Sequence, residues 1–103
     1  MPETLLGTIV VNGEDIALIE AMYADGRPAI ICRDADGLPY STLSVNPGPE
    51  IALPARCVAI KGWSENADLA VAAAASGLFE LTGQEIALQH VTAPIWRIKE
   101  QAG

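Results

Sequence analysis

Three turn signals punctuate the first half of this chain and constrain its fold more than any other feature. Asn12-Gly13, Ala24-Asp25-Gly26 and Ala35-Asp36-Gly37 each separate short runs of apolar and β-branched residues. Asn-Gly is the preferred centre of a type I′ hairpin turn, because both residues must tolerate positive φ. The Ala-Asp-Gly triplet occurs twice, yet the runs on either side do not match, so this is one turn chemistry used twice and not a sequence repeat. Between the turns lie Thr4–Val11, Glu14–Tyr23, Arg27–Asp34 and Tyr40–Asn46. In the last of these Leu43 and Val45 alternate with Thr42 and Ser44, the period of a strand. Ala29-Ile30-Ile31-Cys32 is apolar on both faces and fits a central strand.

The second half is different. Asn46 to Pro54 is rich in proline and reads as a loop. Arg56–Lys61 fits one more strand. The one helix follows, with Leu69–Ser76 dominated by alanine, the best helix former, Ser64 placed as N-cap and Gly77 as the left-handed residue that ends the helix. Leu78–Thr82 and a stretch from Ile86 to Ile98 follow, the latter carrying Pro94, which implies an edge strand or a break near Ala93. The tail from Lys99 is expected to fray. Together these elements predict a single α+β domain over residues 1–103. It would be an antiparallel meander of about five to six strands with one Ala-rich helix lying flat on it.

Composition agrees with a globular chain and narrows its partners. Half of the 103 residues are hydrophobic and 18% are charged, with thirteen acids against six bases. Residues 1–50 hold eight of those acids and two of the bases. Such a chain is repelled by nucleic acid and by anionic membranes, so a charge-selected partner is a protein with a basic surface. The acids also serve solubility, which needs no partner. Met1-Pro2-Glu3 does not open a signal peptide and no run is long enough to span a membrane, so the expected location is cytoplasmic. Cys32 and Cys57 each sit in apolar surroundings, as small buried hydrophobes do; their pairing stays open.

A meander places its first and third turns at one end. Glu14 and Asp15 follow the first turn, and Asp34 and Asp36 belong to the third, so these four carboxylates should share that end, with Asp25 opposite. They are the candidate partner-binding residues. Trp96 and Arg97 are a second candidate contact, since Trp and Arg are frequent interface anchors, although a core tryptophan is the plainer reading. Trp63 could be a staple or a core plug.

No catalytic constellation emerges. Asp34-Ala35-Asp36-Gly37 looks like half a calcium loop, but the remaining ligands are missing and the next Glu is Glu50. His90 is the sole histidine, and neither cysteine has a basic cluster to activate it. Ser41, Ser44 and Ser64 lack a nucleophile-elbow context. The expectation is therefore no enzyme, no metal and no cofactor.

Tyr40-Ser41-Thr42-Leu43-Ser44-Val45-Asn46, Lys61-Gly62-Trp63-Ser64-Glu65-Asn66, Ser76-Gly77-Leu78 and Leu81-Thr82-Gly83 together resemble domain-of-unknown-function family 4313 across about residues 20–98. Gly62 departs from that pattern, where Asp is common, and the Pro47–Pro54 loop is short on acids. The resemblance implies a compact α+β domain encoded on plasmids, prophages or conjugative elements, and it supplies no activity. The expected function is a non-enzymatic protein-binding inhibitor or accessory protein of a mobile genetic element, including an anti-defence (anti-CRISPR-like) role, that meets a basic partner through its acidic turns. The alternative is a small-ligand-binding or weakly enzymatic domain with a pocket between helix and sheet, containing His90 or Asp36.

Overall fold

β1 (Thr4–Val11) enters Asn12 and Gly13, whose φ angles of 51° and 82° are the two positive values of a type I′ turn, and β2 (Glu14–Met22) returns with Val11 opposite Glu14. The computed structural model describes residues 3–48 and 50–99. Met1-Pro2, Pro49 and the part of the expected frayed tail at 100–103 lie outside them. β3 (Pro28–Arg33) and β4 (Pro39–Thr42) continue the meander.

The two Ala-Asp-Gly turns have the same geometry. Gly26 N–H donates to Tyr23 C=O (2.9 Å) and Gly37 N–H to Asp34 C=O (3.0 Å), and each loop closes on a glycine at φ of 91° or 81°. This is the three-residue hairpin loop that ends in a left-handed residue. In both, an aspartate side chain caps the loop. Asp25 Oδ1 accepts from Arg27 N–H, and Asp34 Oδ1 accepts from the N–H groups of Asp36 and Leu38.

After β4 the structure departs from one continuous meander. The strands form two sheets of four, in the orders β1-β2-β3-β4 and β5-β6-β8-β7. The second contains β5 (Ser44–Val45), β6 (Cys57–Ile60), β7 (Phe79–Ala87) and β8 (Thr92–Ile98). The chain changes sheets at Leu43. Its N–H donates to Ile30 C=O in the first sheet (2.9 Å), and its C=O accepts from Lys61 N–H at the end of β6 (2.7 Å). Leu43 and Ser44 are both buried, so the alternation expected over Tyr40–Asn46 breaks where the strand turns the corner between sheets. Ser44 Oγ accepts from Ile30 N–H and bonds the Tyr23 hydroxyl, which satisfies it inside.

One hydrophobic cluster joins the sheets. Ile16, Leu18, Ile30 and Cys32 of the first meet Val58, Ile60, Trp96 and Ile98 of the second. A smaller cluster of Cys57, Ala59, Ala93 and Ile95 lies on the other face of the second sheet, covered by Leu53 from the proline-rich loop. Burial on both faces explains why all four residues of β6 are apolar and buried. Arg27 holds that loop in place, donating to Asn46 Oδ1 and Ile51 C=O.

Pro94 belongs to a strand interior to the sheet, at a point where only β7 pairs with it, so the expected break is there although β8 is not an edge strand. β8 runs between β6 and β7, but its ladder to β6 starts at Ile95 opposite Ala59. On the β7 side Pro94 adjoins a bulge, where pairing jumps from Leu81–Trp96 to Glu85–Pro94. Thr82 Oγ1 bridges the irregularity, donating to Ile95 C=O and accepting from Gln84 N–H. A strand position beside a bulge tolerates a residue with no N–H.

The helix α1 (Ala67–Ala75) follows a single 3-10 turn at Ser64–Asn66. It contacts both β1 and β7, spanning the open side between the sheets, and so does not lie flat on the meander. Near it the sheet edges approach so closely that a Cβ on Gly7 would come within 2.8 Å of Leu78 Cδ1. Ser64 is not the N-cap. It is exposed, at φ 57°, and no side chain caps either helical segment. An N-cap needs β-region backbone to aim its hydroxyl at the first-turn amides, and a left-handed residue cannot supply that. Gly77 follows the helix at φ 81°.

Candidate functional site

The sheet order brings the first and third hairpin turns to the same end of the first sheet, and places the Asp25 turn at the other. Glu14, Asp15 and Asp36 are exposed there. Asp34 is half-buried and its carboxylate serves its own turn, so it is a structural member of the group. A further acid joins that spacing alone did not reveal. Asp68, in the first turn of α1, accepts from Asn12 Nδ2 at 3.2 Å, tying the helix start to the first hairpin. The signal available was weak: an acid early in a helix reads as a complement to the helix dipole.

The charges sort by location. Among the described residues the ion pairs are Asp25–Arg27, Glu3–Arg33, Glu20–Arg56, Glu65–Lys61 and Glu80–Arg97. None involves Glu14, Asp15, Asp34, Asp36 or Asp68. Even Arg33, at the end of β3 beside the third turn, gives both terminal guanidinium nitrogens, Nη1 and Nη2, to Glu3. The paired acids show what partners do. Asn46 Nδ2 and the Arg27 N–H hold the Asp25 carboxyl below its ordinary range. The Glu65 carboxyl is also held low, by its own backbone N–H and then by Lys61.

Trp96 and Arg97 do not form one contact site. Consecutive strand residues face opposite ways; Trp96 is buried against Phe79 in the core, whereas Arg97 faces outward beside Glu80. His90 is exposed in the β7–β8 turn. Cys32 and Cys57 are free and buried, one in the cluster between the sheets and one on the far face of the second sheet. Burial pushes the Cys32 thiol up to about 12 and raises that of Cys57 as well. Among the described residues no group of three or more His, Cys, Asp or Glu could hold a metal ion.

Beside the acidic end lies a groove between α1 and β8, with a volume of about 570 Å³. Its helix wall is Ala67, Ala70, Val71 and Ala74, and Trp63, Pro94 and Trp96 form the rest of its apolar surface. Gly62 brings β6 close under the helix, where a Cβ would meet Ala70 Cβ at 3.5 Å. Neither His90 nor Asp36 lines this groove, so the polar group expected of a pocket between helix and sheet is not in it. Trp63, expected as a staple or plug, lines its rim and also packs on the smaller cluster.

Among the described residues no helix is long and apolar enough to cross a membrane. Comparisons with known protein families, curated proteins and solved structures find no match for the chain.

Proposed function

We propose that this chain is a non-enzymatic protein-binding module, an inhibitor or accessory protein of a mobile genetic element with an anti-defence role, that docks its acidic end on a basic surface of its partner. The observation that carries the reading is the segregation of charge. Five carboxylates elsewhere (Glu3, Glu20, Asp25, Glu65 and Glu80) are matched by Arg or Lys and Glu50 and Glu85 stand outside any ion pair, while Glu14, Asp15, Asp36 and Asp68 gather at one end with no cationic partner among the described residues. Unmatched charges on one surface repel each other in the free protein and are relieved by a cationic partner. The test is to isolate the partner from the native host and measure its binding to the variant E14K/D15K/D36K/D68K. Asp34 is left intact because it holds a turn. The expected result is weaker binding with a flatter dependence on salt, since steering by exposed charge is screened. Unchanged affinity and salt dependence would refute the reading. A second reading, a site for a small apolar ligand, is favoured by the apolar lining of the groove between α1 and β8.

A further inference from the structure

We propose that the groove between α1 and β8 seats the apolar face of a cationic amphipathic helix supplied by the partner protein. This rests on the protein-binding reading and specifies what is bound beside the acidic end. The helix wall repeats at i, i+3, i+4 and i+7 through Ala67, Ala70, Val71 and Ala74, the stripe that one helix offers another. Its side chains are small, which allows a second axis to approach to about 8–10 Å. Val71 is 71% exposed and Leu81 54% exposed. Leu81 pairs with Trp96 across β7 and β8 and so faces the same side. An apolar surface therefore extends beyond what α1 covers.

The shape favours a helix over a strand or a small molecule. β8 is paired with β7 from Thr92 and with β6 from Ile95, and the short edge left at Thr92–Pro94 includes a proline with no N–H to offer a strand, so recognition there comes mainly from side-chain packing. A small ligand would lie against a largely exposed Val71, whereas ligand sites enclose most of their occupant. The rim selects positive charge. Glu85 pairs with Pro94 and shares its face, and Asp68 adjoins Ala67, neither of them in an ion pair. The neighbouring cation, Lys61, is paired with Glu65. Lysines or arginines flanking the partner's apolar face meet this rim.

The probe is a synthetic helical peptide of leucine and lysine about 16 residues long, with leucines on one face. One control replaces every lysine with glutamine, and the other replaces every leucine with glycine. Binding is followed by tryptophan fluorescence, since Trp63 and Trp96 both line the groove. The leucine–lysine peptide should bind at least about tenfold more tightly than either control, and Val71→Glu, at an exposed site, should weaken it by about tenfold or more without changing thermal stability. Equal binding of the glutamine control would overturn the proposal by making the acidic rim irrelevant. Equal binding of the glycine control, or no effect of Val71→Glu, would overturn it by removing the groove. A concentration-dependent dimer lost in Val71→Glu would overturn it by assigning the groove to a second copy. The two readings fail separately. Loss of peptide binding in Val71→Glu, with E14K/D15K/D36K leaving the native partner's affinity unchanged, supports the groove and refutes the acidic turns; the reverse pattern refutes the groove alone.

Discussion

Ser64 and Asn66 stand two residues apart in a segment that looks like a helix start, and only the second is held. Asn66 is 1% exposed. Its amide nitrogen donates to Thr42 C=O at 2.8 Å, and its oxygen accepts from Ser41 Oγ at 2.6 Å, clamping the start of α1 to β4. Asn66→Ala should cost about 1–3 kcal/mol, because it removes a buried side chain's two hydrogen bonds and leaves the Thr42 carbonyl without its donor. Ser64→Ala should stay within about 0.5 kcal/mol, as exposed changes do. Chemical denaturation of both variants compares them directly, and equal losses would contradict the clamp. Gly77→Val should cost about 1–3 kcal/mol. Open space surrounds its missing Cβ, so the penalty is one of backbone conformation, and Gly77→Ala should show most of it. At Asp25, hydrogen bonds from Asn46 and the Arg27 N–H lower the folded-state carboxyl pKa. That stabilisation is complete above the unfolded-state value and is lost as pH falls through the folded-state value. Asp25→Asn should therefore lower the thermal midpoint near neutral pH, with the gap from the parent closing in acid. A gap independent of pH would show that charge plays no part.

The hairpins were legible in the sequence because their determinants are local. Asn12-Gly13 and the two Ala-Asp-Gly turns carry the residues their backbone angles require, within a few positions. Leu43 was not legible. A leucine between threonine and serine looks like one step of an alternating strand, yet here it joins two sheets, bonding Ile30 with its N–H and Lys61 with its C=O. Its side chain is fully buried, so Leu43→Ala should cost about 2–5 kcal/mol. Leu38→Ala, in an exposed turn, should change stability little. Similar losses from the two, measured by urea unfolding, would rule out a special role for the sheet corner. Pro94 was legible only in part, as a break near Ala93 and not as an interior strand, for a related reason. Its exclusion from sheet interiors is lifted by a bulge in the neighbouring strand, and that bulge depends on Thr82–Gln84, about ten residues earlier in the chain.

Across the whole molecule, Cys32 and Cys57 report on how the two sheets are held. Both thiols are buried and free, with their ionisation suppressed, so a thiol reagent near neutral pH should label neither in the folded protein and both after denaturation. Rapid labelling of Cys57 alone would show that the cover provided by Leu53 opens without unfolding the core between the sheets. The acidic end is also a property of the whole. The turn spacing was enough to place Glu14, Asp15, Asp34 and Asp36 together, because a meander alternates its ends whatever its sheet later joins. It could not supply Asp68, which arrives through the docking of α1 on the first hairpin.

By itself the sequence determined the turns, the strand segments between them, the alanine helix with its glycine stop, and the excess of acids. Each follows from backbone preference, residue volume or charge within a short window. The tertiary structure decided what depends on contacts between distant residues. It split the strands into two sheets at Leu43, buried β6 on both faces, and assigned Asn66 to a clamp. It also matched Arg33 with Glu3 and Arg56 with Glu20, and so left one end acidic. These outcomes depend on which surfaces meet when the two sheets pack, and no local window of the chain records that.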